Sequence, residues 1–309
     1  MSCRAAYADR VTVLREVRTE ADYESWRSVR LAILPGERSA TVAELMEAQA
    51  ARPSRLLLLA ERDGVVVGSG SADRSDLGGR GSVSPRVLSD YRRQGIGTQL
   101  LRALSAHVAE LGFPIVSSQV DDEGSRAFAE RFGFAEIDRQ VEQVREIGVE
   151  PRPPAPAGVE IVAVDEDPTL WPRAYHQVGL AAMGDMAVTS PMKISLEEWE
   201  REWINTPEAT FLALAGPDEI VGLASLYLDE DVPDRAEQGF TAVRRDWRGR
   251  GIASALKRMT LWWAAEHGIR EIYTWTQTGN DDMRRLNEHL GFRYGLVTID
   301  LTAQLPLSF

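Results

Sequence analysis

The residues best placed to do chemistry lie in one short stretch, WRGRGIASALK, Trp247 to Lys257. Arg248, Gly249, Arg250 and Gly251 stand directly before a segment with helical apolar spacing. Glycines there let the backbone turn so that several N–H groups converge, and the helix N-terminus adds partial positive charge. Such a nest holds an anion without a metal. No Gly-Lys-Ser/Thr closes the motif, so it is not a Walker loop. Its Arg-x-x-Gly-x-Gly/Ala spacing, fed by an antiparallel meander, is not a dinucleotide fingerprint either.

The motif occurs twice. YRRQGIGTQLL, Tyr91 to Leu101, repeats it at an offset of 156, and ERFGF, Glu130 to Phe134, matches EHLGF, Glu288 to Phe292, at an offset of 158. A short loop absorbs the two-residue difference. The positioning elements repeat in the same order. Two strands joined by a tight turn lead to each motif (LLLLAERDGVVVGSGSA; FLALAGPDEIVGLASLYL). A helix follows, expected to stop at Gly112 or near Gly268, then the strands PIVSSQV or REIYTWTQ, a second helix and a Gly-Phe turn. GVEPRPPAPAG, Gly148 to Gly158, carries four prolines and reads as a semi-rigid linker. The reading is thus two domains, 1–147 and 159–309, joined by 148–158, of α/β (α+β) class, each a mixed, mostly antiparallel sheet flanked by helices.

Composition narrows the function. A length of 309 residues suits two domains, and 44% hydrophobic with 27% charged residues describes a globular protein. No run of 18 apolar residues suggests a membrane span, and the start MSCRAAYADR has no signal-peptide core, so a cytoplasmic protein is expected. The single Cys3 rules out a disulfide framework, and His107, His176, His267 and His289 show no ligand spacing, so no metal is expected. The net charge of −12 argues against nucleic acid. It divides as 20 basic and 23 acidic residues over 1–150, and 15 and 24 over the rest, so the second half would favour cationic partners.

Both halves resemble GCN5-related N-acetyltransferases, whose pyrophosphate loop has the form Gln/Arg-x-x-Gly-x-Gly/Ala. Arg92, Gly95 and Gly97 match it in the first half; Arg248, Gly251 and Ala253 match it in the second. The resemblance implies acetyl-coenzyme A as cosubstrate, its pyrophosphate held by the backbone of residues 93–98 (Arg93, Gln94, Gly95, Ile96, Gly97, Thr98) and 249–254 (Gly249, Arg250, Gly251, Ile252, Ala253, Ser254). It also implies that Val87 and Val243 meet the pantetheine arm and thioester carbonyl through their backbone, and that Asn280 contacts that arm. As a plain helix cap, Asn280 would serve equally.

An amine attacks a thioester only as the free base, and a carboxylate reached directly or through water can take its proton. Family members that use glutamate carry it where Glu237 stands; a solvated strand residue is the alternative. The tyrosine that many members use as general acid is replaced by Asn287, which can donate a hydrogen bond but not serve as an acid. The first half has Gly81, Asp122 and Ala129 at these three positions. The resemblance therefore implies an N-acetyltransferase acting on a small-molecule amine, with catalysis in the second half and a catalytically degenerate first half. A non-catalytic acyl-coenzyme A binder is the rival, and the mycothiol synthase branch of the family shares the tandem layout and length. Asp229, Glu230, Asp231 and Asp234, or Glu197, Glu198, Glu200 and Glu202, could attract a cationic acceptor. Trp199 and Trp203, four apart, read as core, with an acceptor pocket as the other option.

Overall fold

A computed structural model describes residues 11–75, 78–186, 192 and 194–309. Cys3 lies outside the described residues. The chain divides into two compact units. Unit 1 comprises the residues up to Ser75, Gly79–Glu136 and Leu301–Phe309; unit 2 comprises Asp76–Gly78 and Ile137–Asp300. Each is a mixed α/β unit with a mostly antiparallel sheet flanked by helices.

Unit 1 runs β1 (Thr12–Glu16), α1 (Glu20–Ile33), α2 (Val42–Ala51), β2 (Leu56–Arg62), β3 (Val65–Arg74), β4 (Gly81–Val87), α3 (Ile96–Glu110), β5 (Ile115–Val120) and α4 (Glu123–Glu130). Its strands lie in the order β1-β2-β3-β4-β5, antiparallel except for the parallel pair β4/β5. Asp63 and Gly64, with φ of 51° and 77°, make the tight turn that sets the β2/β3 register. Helix α1 starts where it does because Thr19 and Asp22 form a capping box, each side chain bonded to the other's backbone N–H. Leu100, Leu104 and Val108 of α3 are fully buried and fill the space above Gly68, Gly70 and Gly81.

The chain continues through β6 (Ala135–Glu146) into unit 2. There follow β7 (Glu160–Ala163), α5 (Leu170–Ala174), a π-helical turn at Tyr175–Gly179, α6 (Leu180–Gly184), α7 (Leu196–Glu202), β8 (Thr210–Leu214), β9 (Ile220–Leu228), β10 (Arg235–Val243), α8 (Ile252–Glu266), β11 (Glu271–Gln277), α9 (Asp281–His289) and β12 (Arg293–Gln304). No helix or strand forms across the prolines of 150–156. The order within unit 2 is β12-β6-β11-β10-β9-β8-β7. Strand β6 pairs antiparallel with the whole of β11, from Glu146 beside Glu271 to Gln140 beside Gln277. One face of β8–β10 packs on α8 through Ala224, Leu226, Ala236, Ile252 and Leu256. The other face packs on α5–α7 through Leu212, Leu223, Trp171 and Trp199. No helix among the described residues is long and apolar enough to cross a membrane.

Candidate active site

Both glycine motifs form the turn that their residue types require. In unit 2, Gly249 and Gly251 have φ of 75° and 78°; in unit 1, Arg93 and Gly95 take the same two left-handed positions at 61° and 83°. The first intrahelical bonds run from Ala255 N to Gly251 O and from Gln99 N to Gly95 O. The N–H groups of 252–254 and 96–98 therefore have no acceptor within their helices and stand free for an anion. These are the residues singled out from sequence, Ile252, Ala253, Ser254, Ile96, Gly97 and Thr98.

The motif arginines turn inward. Arg248 Nε donates to Val243 O at 3.0 Å and Arg92 Nε to Val87 O at 3.2 Å, closing each loop onto the end of its feeding strand. Arg248 also bonds Asp185 at 2.5 Å, and Arg245 forms a second ion pair with the same carboxylate. Arg245, then Arg248, hold Asp185 well below the usual carboxylate range. Arg250 lies over the Trp247 ring at 4.3 Å.

Behind each loop the two parallel strands part. Strands β10 and β11 pair only from Arg235 beside Glu271 to Glu237 beside Tyr273, and β4 and β5 only at Gly81 and Ser82. Past those points β10 and β4 have an open edge. The units then differ. β10 carries a bulge against β9 between Gln238 and Thr241, where a Cβ on Gly239 would come within 2.6 Å of Tyr227 and 2.7 Å of Ser225 Oγ. A bulge leaves backbone groups out of the ladder and re-aims them. Strand β4 pairs with β3 without a break from Gly81 to Val87, and it has Pro85, which lacks an N–H, at the position of Thr241.

Glu237 lies at the point of divergence, on the sheet face opposite α8. Tyr273, its cross-strand neighbour, donates to its carboxylate at 3.3 Å. Arg235 stacks over Tyr273 at 4.1 Å and bridges Glu142 and Glu271 at 3.1 and 2.6 Å. Tyr227 donates to Trp203 O at 3.0 Å. Trp171, Trp199 and Trp203 stack at centroid spacings of 4.5 and 5.4 Å, with Phe240 edge-on to Trp203 at 5.1 Å. Trp199 is wholly buried core; Trp203 is half-buried and reaches Phe240 of the bulge. An uncharged amine meeting Glu237 here could give up a proton, and the N–H groups of the bulged edge could receive developing negative charge.

Asn280 caps α9, accepting from Met283 N at 3.2 Å, as Asp122 caps α4 from Ser125 N at 2.9 Å. Asn287 is wholly buried; its amide nitrogen donates to Gln143 at 2.9 Å, and its carbonyl oxygen has no hydrogen-bond partner. Among the candidate acidic groups, Glu198 caps α7 and Asp229 accepts from Asp231 N, while Glu197 is exposed. Tyr273, the bulge and Asp185 were missed by sequence reasoning. Alternation along β11, with Glu271, Tyr273 and Trp275 on one face, was the available signal for Tyr273.

An anion-binding turn opening a helix beside a pair of parting parallel strands, present in each unit, defines an acyltransferase fold. The acetyltransferase (GNAT) family model matches residues 22–134 and 180–292, and the chain belongs to that family. It is 27% identical over 242 residues to a mycothiol acetyltransferase from Actinosynnema mirum, covering 76% of this chain and 79% of that protein. Its fold is similar to a tandem GNAT protein from the clavulanic acid biosynthesis pathway, with a TM-score of 0.75, 19% identity, and coverage of 97% of this chain and 100% of the other. A GCN5-related N-acetyltransferase from Sphaerobacter thermophilus gives a TM-score of 0.71 at 19% identity over 95% of both chains.

Proposed function

We propose that unit 2 transfers an acetyl group from acetyl-coenzyme A to the amine of a small molecule, and that unit 1 does no chemistry. The observation that carries this is the β10 bulge beside Glu237, a pairing that unit 1 replaces with an unbroken strand, Gly81 and Pro85. The free N–H groups of 252–254, with Gly249, Arg250 and Gly251, would hold the pyrophosphate. The open edge of β10 up to Val243, together with Asn280, would flank the pantetheine arm. When bound, the thioester supplies an activated acyl carbon. Glu237 takes the proton of the attacking amine, directly or through one water, and Tyr273 orients its carboxylate. Bulge N–H groups at 239–241 meet the charge that develops on the carbonyl oxygen. Asn287, bonded to Gln143, donates no proton, so the departing thiolate receives its proton from solvent. The relationship to mycothiol acetyltransferase over 76% of the chain favours a mycothiol-type acceptor as the narrower reading.

The test is thiol release from acetyl-coenzyme A across a panel of small amines. Glu237→Gln is expected to lower kcat about 10²- to 10⁴-fold with folding intact, while Gly95→Glu leaves turnover in place. Equal loss from both variants would rule out a single working site. Thiol release that no amine stimulates would favour a non-catalytic binder.

A further inference from the structure

Arg86 of β4 stands where unit 2 has Ala242, a core residue packed in the aromatic cluster of α5–α7. It is partly buried on the face of the sheet turned to α1, beyond the point at which β5 diverges. Among the described residues it makes no hydrogen bond or ion pair; the Trp26 ring lies 5.9 Å from its guanidinium carbon. That distance is at the outer limit of a useful cation–π contact. The charged groups acting on it are Arg30, Glu37, Arg55 and Asp121, two of each sign, and none of them is bonded to it. Burial pushes its guanidinium down to about 10, so it stays cationic at neutral pH while carrying a desolvation cost.

Two further donors lack partners around it. Ser69, the residue paired with Arg86 across the β3/β4 ladder, is wholly buried and its hydroxyl has no hydrogen-bond partner. Paired residues of an antiparallel ladder share a face, so the Ser69 hydroxyl lies beside the base of the Arg86 side chain. Arg30 of α1 spends Nη2 on Glu37 and on Arg38 O, while its buried Nη1 has no partner. Buried donors without acceptors are costly, and a planar guanidinium fork matches a carboxylate.

We infer that this cluster of donors in unit 1 binds a carboxylate, with Arg86 as its bidentate partner and Ser69 and Arg30 supplying further donors. The carboxylate belongs either to a free small acid or to the acyl chain of a coenzyme A thioester; the second source rests on the family's cosubstrate also reaching unit 1.

Calorimetric titration of the full chain with sodium propionate, succinyl-coenzyme A and acetyl-coenzyme A tests this. Saturable propionate binding identifies the free acid; tighter binding of succinyl- than acetyl-coenzyme A identifies the acyl chain. In either case Arg86→Gln should weaken binding about tenfold or more and Ser69→Ala about fivefold, with Arg86→Lys in between. As a check that needs no variant, phenylglyoxal labelling mapped by mass spectrometry should reach Arg86 in the wild-type protein and be blocked by the bound carboxylate. Carboxylate binding that is unchanged in Arg86→Gln overturns the proposal. So does inorganic phosphate displacing both probes while neither protects Arg86.

Discussion

Lys257 of α8 occupies the position that Leu101 holds in α3, and it is as deeply buried, at 1% exposure against 2%. Its Nζ lies 5.5 Å from the Phe292 ring, and burial pushes its ammonium down to about 7. The sign follows from proton counting. Between that value and the unfolded value near 10.4 the unfolded chain holds the proton and the folded chain does not, so stability rises with pH. Lys257→Leu is therefore expected to stabilise unit 2 most below pH 7, on the order of 3 kcal/mol, with the gain shrinking towards pH 10. Denaturant melts at pH 6 and pH 10 check this; an equal gain at both would refute it. Asp22 behaves oppositely. Backbone N–H groups of Thr19 and Arg18, then Arg15, hold its carboxyl well below the usual range. Its contribution is present above about pH 3.9 and is lost as pH falls through the lowered folded value. Asp22→Asn should thus flatten the acid limb of a stability profile. Glu237 was singled out from sequence by the spacing at which family members carry a glutamate base, whereas Tyr273 was not, since its contact with Glu237 comes from a cross-strand register. Arg86 escaped for a similar reason: an arginine is ordinary in a sequence and unusual only once its surroundings lack an acceptor.

At the scale of elements, the β10 bulge is what distinguishes the open edge of unit 2 from that of unit 1. Gly239 has the Tyr227 ring and the Ser225 hydroxyl where a side chain would go, at 2.6 Å and 2.7 Å. Gly239→Ala is expected to lower kcat while leaving coenzyme A affinity within about twofold, because the phosphate-binding turn lies elsewhere. Parallel loss of affinity would mean the bulge also anchors the arm. Gly251 is the converse case. Nothing crowds a Cβ there, but its φ of 78° strains any L-residue. Gly251→Ala should cost about 1 kcal/mol and weaken coenzyme A binding, as judged by thermal melts and titration. The repeat offset made both glycine turns, their helices and the feeding meanders legible, because glycine spacing and 3.6-residue periodicity are local signals. The bulge was not legible. It depends on how β10 registers against β9, and no single residue type encodes that.

For the whole molecule, the two units carry one glycine turn each at a helix start but surround it with different chemistry. Unit 2 has an acid, a bulge and an aromatic stack; unit 1 has an unbroken β4, Pro85 and an Arg86 with no bonded partner. Restoring Glu at position 81 alone should not awaken unit 1, since Val108 of α3 already lies within 2.3 Å of where a Cβ would sit and the backbone donors stay in the ladder. Acyl transfer by Gly81→Glu in a Glu237→Gln background would contradict this. Tandem architecture was evident from the repeat. The placing of each half's last strand was not, because two similar apolar strands can satisfy similar neighbours.

Unit 1 includes Leu301–Phe309, where Leu305 N donates to Pro114 O at 2.9 Å and Phe309 packs on Phe132 at 5.1 Å beneath Arg102. On the ribosome these residues emerge after every residue of unit 2. The unit encoded first is thus finished last, and it must wait with α3 and β5 incompletely covered while its neighbour is still being made.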